Sequence, residues 1–190
     1  MSRTPVREAL MRLTEEGLVK NLPNHGFLVT AVTMKEIEEI FDLRLCLEKY
    51  VIEFVIDNEI PFDLSEMEKH VSERENALKK EDFWASFEAN HQFHIKFINL
   101  ANNGTLTRFM QELKDKPIQS GYRSLRRGAN LFEAVVEHKA IIEALQNRDK
   151  DRAIAELQQH VTSAKKEHWE LLINRCIILK LAVKYRQSNL

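Results

Sequence analysis

The sequence predicts a mainly α-helical protein in two parts: a helix with a β-hairpin over residues 1–33, then an antiparallel all-α bundle over residues 34–190. Three observations carry this. Five Gly and four Pro in 190 residues are about 5%, against roughly 12% for the pair in average proteins, so the chain has little material for the tight turns of a sandwich or barrel. Beyond residue 33 the apolar residues recur at helical spacing almost to the end of the chain. At 44% apolar and 30% charged the chain can bury a sizeable core and is not disordered. Heptads are not sustained, which favours a bundle over a coiled coil.

Each element follows from local signals. Thr4-Pro5 reads as an N-cap and first helical residue, with Val6, Ala9, Leu10 and Leu13 on one face and Gly17 where the helix stops. Leu18-Val19, the breaker cluster Asn21 to Gly26, and Phe27 to Thr30 form a hairpin. Thr33 and Glu36 match a capping box. The helix they open, Met34 to about Asp57, carries Ile37, Ile40, Phe41, Leu47, Val51 and Phe54-Val55. Pro61 breaks the chain before helices over about Leu64–Lys80 and Asp82–Ala101. The next begins near Thr105 and meets Pro117, where a kink is expected. A break around Gly128 precedes a helix from Asn130 to Gln146, and Asn147-Arg148-Asp149 links it to the longest, from Lys150 to Arg186. The aromatic group Phe83, Trp84 and Phe87 reads as core packing.

The same residues exclude several classes. A net charge of -1 provides no global basic field for nucleic acid. Cys46 and Cys176 match no metal or redox spacing, and no apolar run is long enough to span a bilayer, so a reduced, cytoplasmic protein without a membrane partner is expected. No HExxH, GxSxG, CxxC or phosphate-loop pattern occurs, and neither Glu137-His138 nor Glu167-His168 has the Glu-x-x-His spacing of catalytic di-metal bundles. An enzyme is not expected.

A helix leading into a hairpin is the second half of a winged helix-turn-helix, whose recognition helix presents its N-terminal residues to the major groove. Ser2, Arg3, Thr4 and Arg7 fall at that end, and Lys20 and His25 in or near the wing. Residues 1–33 carry a charge of only +1, so a solvated amphipathic helix is the alternative reading. Ser2-Arg3-Thr4-Pro5-Val6-Arg7-Glu8-Ala9-Leu10, Arg12-Leu13, Glu16-Gly17-Leu18-Val19 and Asn24-x-Gly26-Phe27-x-Val29 resemble the recognition helix and wing of GntR-type transcription regulators. The resemblance implies that Ser2, Arg3, Thr4 and Arg7 contact operator DNA and that His25 and Gly26 touch its backbone. In that family roughly half of the DNA-binding domain precedes the point where this sequence begins, which makes the winged helix-turn-helix partial and its DNA affinity reduced. A truncated effector- or metal-binding bundle that no longer binds DNA is the second reading.

Three of the seven histidines, His94, His138 and His160, fall at or beside the apolar stripes of three different helices, and Asn90 shares a face with His94 at i,i+4. Single helical histidines are usually surface or satisfied core residues. Three that meet inside a bundle form a site for a divalent ion of the Zn, Ni or Mn type. Asn90-x-x-Phe93-His94, Glu137-His138-x-x-Ile141-x-x-Ala144-Leu145, Ala153-x-x-x-Leu157-x-x-His160 and Arg44-x-x-x-Glu48 are similar to the FCD ligand-binding domain of FadR-like GntR regulators. Many members bind a divalent metal there through an Asp and three His, beside a pocket for a small carboxylate effector. Carried over, the metal ligands are Asn90, His94, His138 and His160, with Asn standing where the family usually has Asp. Its amide oxygen is neutral and binds metal more weakly, so the ion depends more on the three imidazoles.

Arg44, with Tyr122 and Arg123, would supply the effector's remaining contacts, because a guanidinium matches a carboxylate bidentately. Arg126 and Arg127 read as a solvated basic face, and His70, His91 and His168 have no supporting context. The apolar run from Leu171 to Val183 suits a bundle cover or dimer contact, and a homodimer is what palindromic operators require. The expected function is a ligand-responsive, DNA-binding transcription regulator that senses a small organic acid at a metal site.

Overall fold

The computed structural model describes the backbone of residues 3–15, 19–29, 33–113 and 131–187, and their side chains except Arg3, Val29 and residues 170–187. The chain forms two compact units, Met1–Thr33 and Met34–Leu190.

In the first unit, α1 spans Arg3–Glu15. Pro5 lies inside its first turn, where a missing N–H removes no intrahelical bond. The strands β1 (Val19–Leu22) and β2 (Gly26–Val29) pair antiparallel, with Val19 opposite Val29 and Leu22 opposite Gly26. The turn is tighter than the polar cluster suggests. Asn24 and Gly26 adopt φ of 64° and 87°, and the His25 N–H donates to the Leu22 carbonyl at 3.0 Å. Asn and Gly tolerate this left-handed backbone, so the chain reverses within three residues and Asn21-Leu22 stay in the strand. β1 packs on α1 through the buried Val19.

The second unit is a helical bundle. Its helices are α2 (Met34–Asp57), α3 (Ser65–Lys79), α4 (Phe83–Asn99), α5 (Gly104–Glu112), α6 (Leu131–Gln146) and α7 (Lys150–Gln187). The Pro117 kink and the Gly128 break lie outside the described residues. α4 packs along α3 and also meets α2 and α5, while α7 packs along α6 and α2, and α3 also meets α6. Every long helix contributes a stripe at i,i+3,i+4. Ile37, Ile40, Phe41, Val51, Ile52 and Val55 line α2, and Phe93, Phe97 and Ile98 line α4. Ile141, Ile142 and Leu145 complete the core from α6, with Ala153, Leu157 and Val161 from α7. Trp84 departs from the core reading: its ring stacks on Phe87 but stays 48% exposed.

The helix ends show how so few glycines suffice. Asp82 and Asn103 cap α4 and α5 by accepting from the N–H groups of Ala85, and of Thr105 and Leu106. α2, α3 and α6 exit through Glu59, Glu81 and Arg148, whose φ values of 53°, 56° and 51° are left-handed. At each exit the next residue's N–H closes the six-residue loop: Ile60 to Val55, Asp82 to Ala77 and Asp149 to Ala144. This is the Schellman arrangement, with a charged residue where glycine is usual. Arg148 also uses its side chain, which donates to the Ile60 carbonyl at 2.9 Å and lies over the Phe62 ring.

Candidate metal centre

The bundle core contains a polar cluster where hydrophobic residues would be expected. His94 on α4, His138 on α6 and His160 on α7 each take a core position of their stripe and are 2%, 0% and 3% exposed. Helical periodicity turns all three inward from separate helices, and one potential ligand nitrogen of each lies within 4.8 Å of the other two. His138 is wedged from one side by Phe93, whose ring stacks on the imidazole at 3.9 Å and 18°.

Two of the imidazoles have fixed orientations. The Nδ1 of His94 lies 2.7 Å from Oε1 of Glu48, and that of His160 lies 2.8 Å from Oε2 of Glu137. A carboxylate accepts only an N–H, so Glu137, and Glu48 in its ionised form, place the imidazole proton on Nδ1 and leave Nε2 as a lone pair. This is the arrangement by which carboxylates orient and strengthen metal-ligating histidines. Nε2 of His94 has no partner, and Nε2 of His138 and His160 are 3.2 Å apart. With the His160 proton on Nδ1, the His138 N–H donates across that gap in the metal-free protein.

Burial dominates the electrostatics. It holds His94 and His138 well below the usual histidine range, with the positive charges of Arg44 and Arg74 and the neighbouring imidazoles acting in the same direction. His160 is lowered less, because burial is opposed by Glu137. All three imidazoles are therefore neutral at physiological pH, the form a metal requires. Glu48 is fully buried and pushed up to about 7 by desolvation, against the pull of Arg44, whose Nε lies 3.6 Å from Oε1. Arg74 on α3 is 6% exposed and donates through its guanidinium to Oδ1 of Asn90. Burial lowers Arg74 to about 10, still fully charged at neutral pH. Three imidazole nitrogens with two fixed tautomers and an unpartnered Nε2 form a donor set that fits a borderline divalent cation.

The sequence matches the family model of the FCD domain over residues 39–163. It is 31% identical to the HTH-type transcriptional regulator YdhC of Bacillus subtilis over 85% of this chain and 70% of that protein. The chain belongs to the FCD-domain family of GntR-type transcription regulators. This regulator is also 25% identical to the gluconate operon transcriptional repressor of Bacillus licheniformis, across 95% of its own length and 76% of the repressor. The fold recurs in a solved GntR-type putative transcriptional regulator from Rhodococcus, with a TM-score of 0.73 at 21% identity, covering 90% of this chain and 81% of that one. These relatives are regulators, and the family is not one of enzymes.

Of the residues singled out in its sequence, the regulator brings His94, His138 and His160 together, with Arg44 joined to His94 through Glu48. Asn90 stands one turn before His94 on α4, with its amide oxygen engaged by Arg74. Tyr122, Arg123, Arg126 and Arg127 lie outside the described residues, as do Ser2 and the side chain of Arg3. Thr4 and Arg7 are exposed on α1, and His25 and Gly26 on the hairpin. His70 is buried against Glu73, and His168 packs edge-on against Phe41 while its Nδ1 donates to the Ala164 carbonyl. Sequence reasoning missed the roles of Glu48, Glu137 and Arg74. Glu48 and Arg74 carried a signal: each interrupts an apolar helical stripe, between Phe41 and Val51-Ile52 on α2 and between Met67-Val71 and Ala77-Leu78 on α3.

Proposed function

We propose that this regulator is a metal-dependent sensor of a small organic acid that controls operator binding by a homodimer. The observation that carries the reading is the convergence of three neutral, buried imidazoles, two with their protons fixed by carboxylates. His94, His138 and His160 would hold a divalent ion, which when bound supplies a Lewis-acid attachment point for a carboxylate. Arg44 would be the bidentate partner of that carboxylate, since its Nε and Nη2 are buried without a hydrogen-bond partner. Tyr122 and Arg123 are further candidates for the effector. Thr4 and Arg7, with Ser2 and Arg3, are candidates for operator contact through α1, and His25 and Gly26 for the wing. An acid that binds two dimer arrangements with different affinity changes operator occupancy by that difference and no more.

Affinity capture of genomic DNA fragments on the purified protein, followed by mobility shift of the recovered sequence with and without organic acids, tests this reading. An enriched sequence whose mobility shift responds to an acid, and to prior chelation of the metal, is the expected outcome. No enrichment over a control column would remove operator binding. A shift indifferent to every acid would remove the sensor.

A further inference from the structure

Three side chains beside the imidazoles carry an oxygen that a metal could use: Glu48, Glu137 and Asn90. The geometry commits each of them elsewhere. Oε1 of Glu48 and Oε2 of Glu137 lie against Nδ1 of His94 and of His160, on the side of each ring away from Nε2. Among the described residues, no carboxylate joins the three histidines in the group whose ligand atoms lie within 4.8 Å of one another. Asn90 is the remaining source of oxygen, one turn before His94 on the same face of α4.

Arg74 decides what Asn90 can offer. A primary amide has one accepting end, its oxygen, and one donating end, its NH2, whereas a guanidinium has donors only. Arg74 donates through Nη1 to Oδ1 of Asn90, so the amide turns its oxygen to α3 and its other end has no lone pair for a metal. Coordination through the same oxygen would press the ion against the N–H group that points at it. Nor is this a loose surface contact. Arg74 is 6% exposed and set into the apolar stripe of α3, between Met67-Val71 and Ala77-Leu78, so its guanidinium cannot swing out to solvent. Its positive charge acts on both His94 and His138, which puts it at the imidazole pocket.

We propose that Arg74 withholds the Asn90 oxygen from the metal, so that three imidazole nitrogens are the only protein ligands and the site takes a nitrogen-preferring ion of the zinc or nickel type in preference to manganese. This rests on the metal reading of the same histidines and refines it. Imidazole suits zinc and nickel, whereas manganese is favoured by carboxylate and carbonyl oxygens, which this arrangement keeps out of the donor set. Arg74 and Asn90 are then specificity-determining residues that do not touch the ion, and the positions they leave open fall to water or to an acid.

Zinc and manganese titrations of the full chain, with the visible spectrum of its cobalt form, test the inference. Asn90→Ala should keep zinc affinity within about threefold and leave the cobalt bands unmoved, where loss of a true ligand costs about 100-fold. Arg74→Met releases the amide oxygen. It should shift the cobalt bands and lower the ratio of zinc to manganese affinity by about tenfold, a ratio from which any general effect of the lost charge cancels. The double variant, Arg74→Met with Asn90→Ala, should restore both the bands and the ratio. It also decides the matter if Asn90→Ala alone fails to fold by circular dichroism, because removing both polar partners leaves neither one buried and unpaired. A tenfold or greater loss of zinc affinity in the variants lacking Asn90 would overturn the inference and leave the metal centre standing. So would an Arg74→Met protein with unmoved bands and an unchanged ratio. A parent protein that binds neither zinc nor cobalt would overturn the metal centre as well.

Discussion

The two units of this regulator place their candidate site residues in opposite environments. On α1 and the hairpin, Thr4, Arg7, His25 and Gly26 are exposed, and so are the apolar Val6 and Leu28, at 47% and 55%. In the bundle, Glu48, Arg74, His94, His138 and His160 are buried among residues that exclude water almost completely. The difference is the one that the proposed roles require. A nucleic-acid surface is read by groups that stay hydrated until contact, and its attraction is long-ranged and screened by salt. A small ion or acid is recognised by groups desolvated in advance, where each hydrogen bond and charge counts for more. The contrast separates the effects of substitutions: changes in the bundle should alter metal, ligand and stability, and changes on α1 should alter DNA affinity alone.

The largest expected effect is at His138. His138→Ala removes a proposed ligand that is fully buried and should lower zinc affinity by about two orders of magnitude or more. Metal analysis after dialysis would show the parent protein stoichiometrically loaded and the variant empty. A parent protein without stoichiometric metal would remove the centre itself, and with it this side of the comparison.

Acid should distinguish the units almost as sharply. In the metal-free protein His94, His138 and His160 stay neutral in the fold, whereas in the unfolded chain they protonate below about pH 6.5. Stability is therefore fully present above that value and falls as pH drops below it. Glu48 works the other way: raised to about 7, it is protonated in the fold before it is in the unfolded chain, and offsets one histidine. The remaining two give a slope of up to about 3 kcal/mol per pH unit between roughly pH 6.5 and 4.5. Urea denaturation after chelation, followed across that range, measures it. A flat profile would mean that the imidazoles are hydrated in solution.

A smaller effect is expected on the exposed side. Arg7→Ala should weaken operator binding by about tenfold through one lost contact and leave zinc content unchanged. Loss of both together in mobility-shift and metal measurements would show that the two units do not act separately. The smallest effect tests the helix exits. Glu81→Gly relieves the left-handed strain at φ 56° and should stabilise the bundle by up to about 1 kcal/mol in the same urea experiment, with no change in metal or DNA binding.

Much of the fold was legible because helical period and breakers agree: α2 runs over Met34–Asp57 as its stripe predicts, and α7 starts at Lys150 after a three-residue link. The hairpin turn was drawn too wide, since polarity does not reveal which of Asn21, Asn24 and Gly26 turns left-handed. The three histidines could be assigned to one site only through family resemblance, because spacing within one helix says nothing about which helices meet. Glu48 and Arg74 were readable as charges in apolar stripes, but their partners were not: Glu48 finds His94 across 46 positions and Arg74 finds Asn90 across 16. Such pairings are properties of the packed bundle.

The face-to-face stack of Phe93 on His138 joins this site to the rest of the bundle. Phe93 is fully buried and also touches the rings of His94 and Phe97, so it is both a wall of the polar cluster and a member of the hydrophobic core. Close-packed interiors leave no slack for a ring to tilt independently. Any occupant that rotates His138 must displace Phe93, and Phe93 cannot move without pushing on α4. The core is thus the spring against which a ligand in this pocket would work, and its stiffness limits how small an ion or acid could still change the shape of the helices.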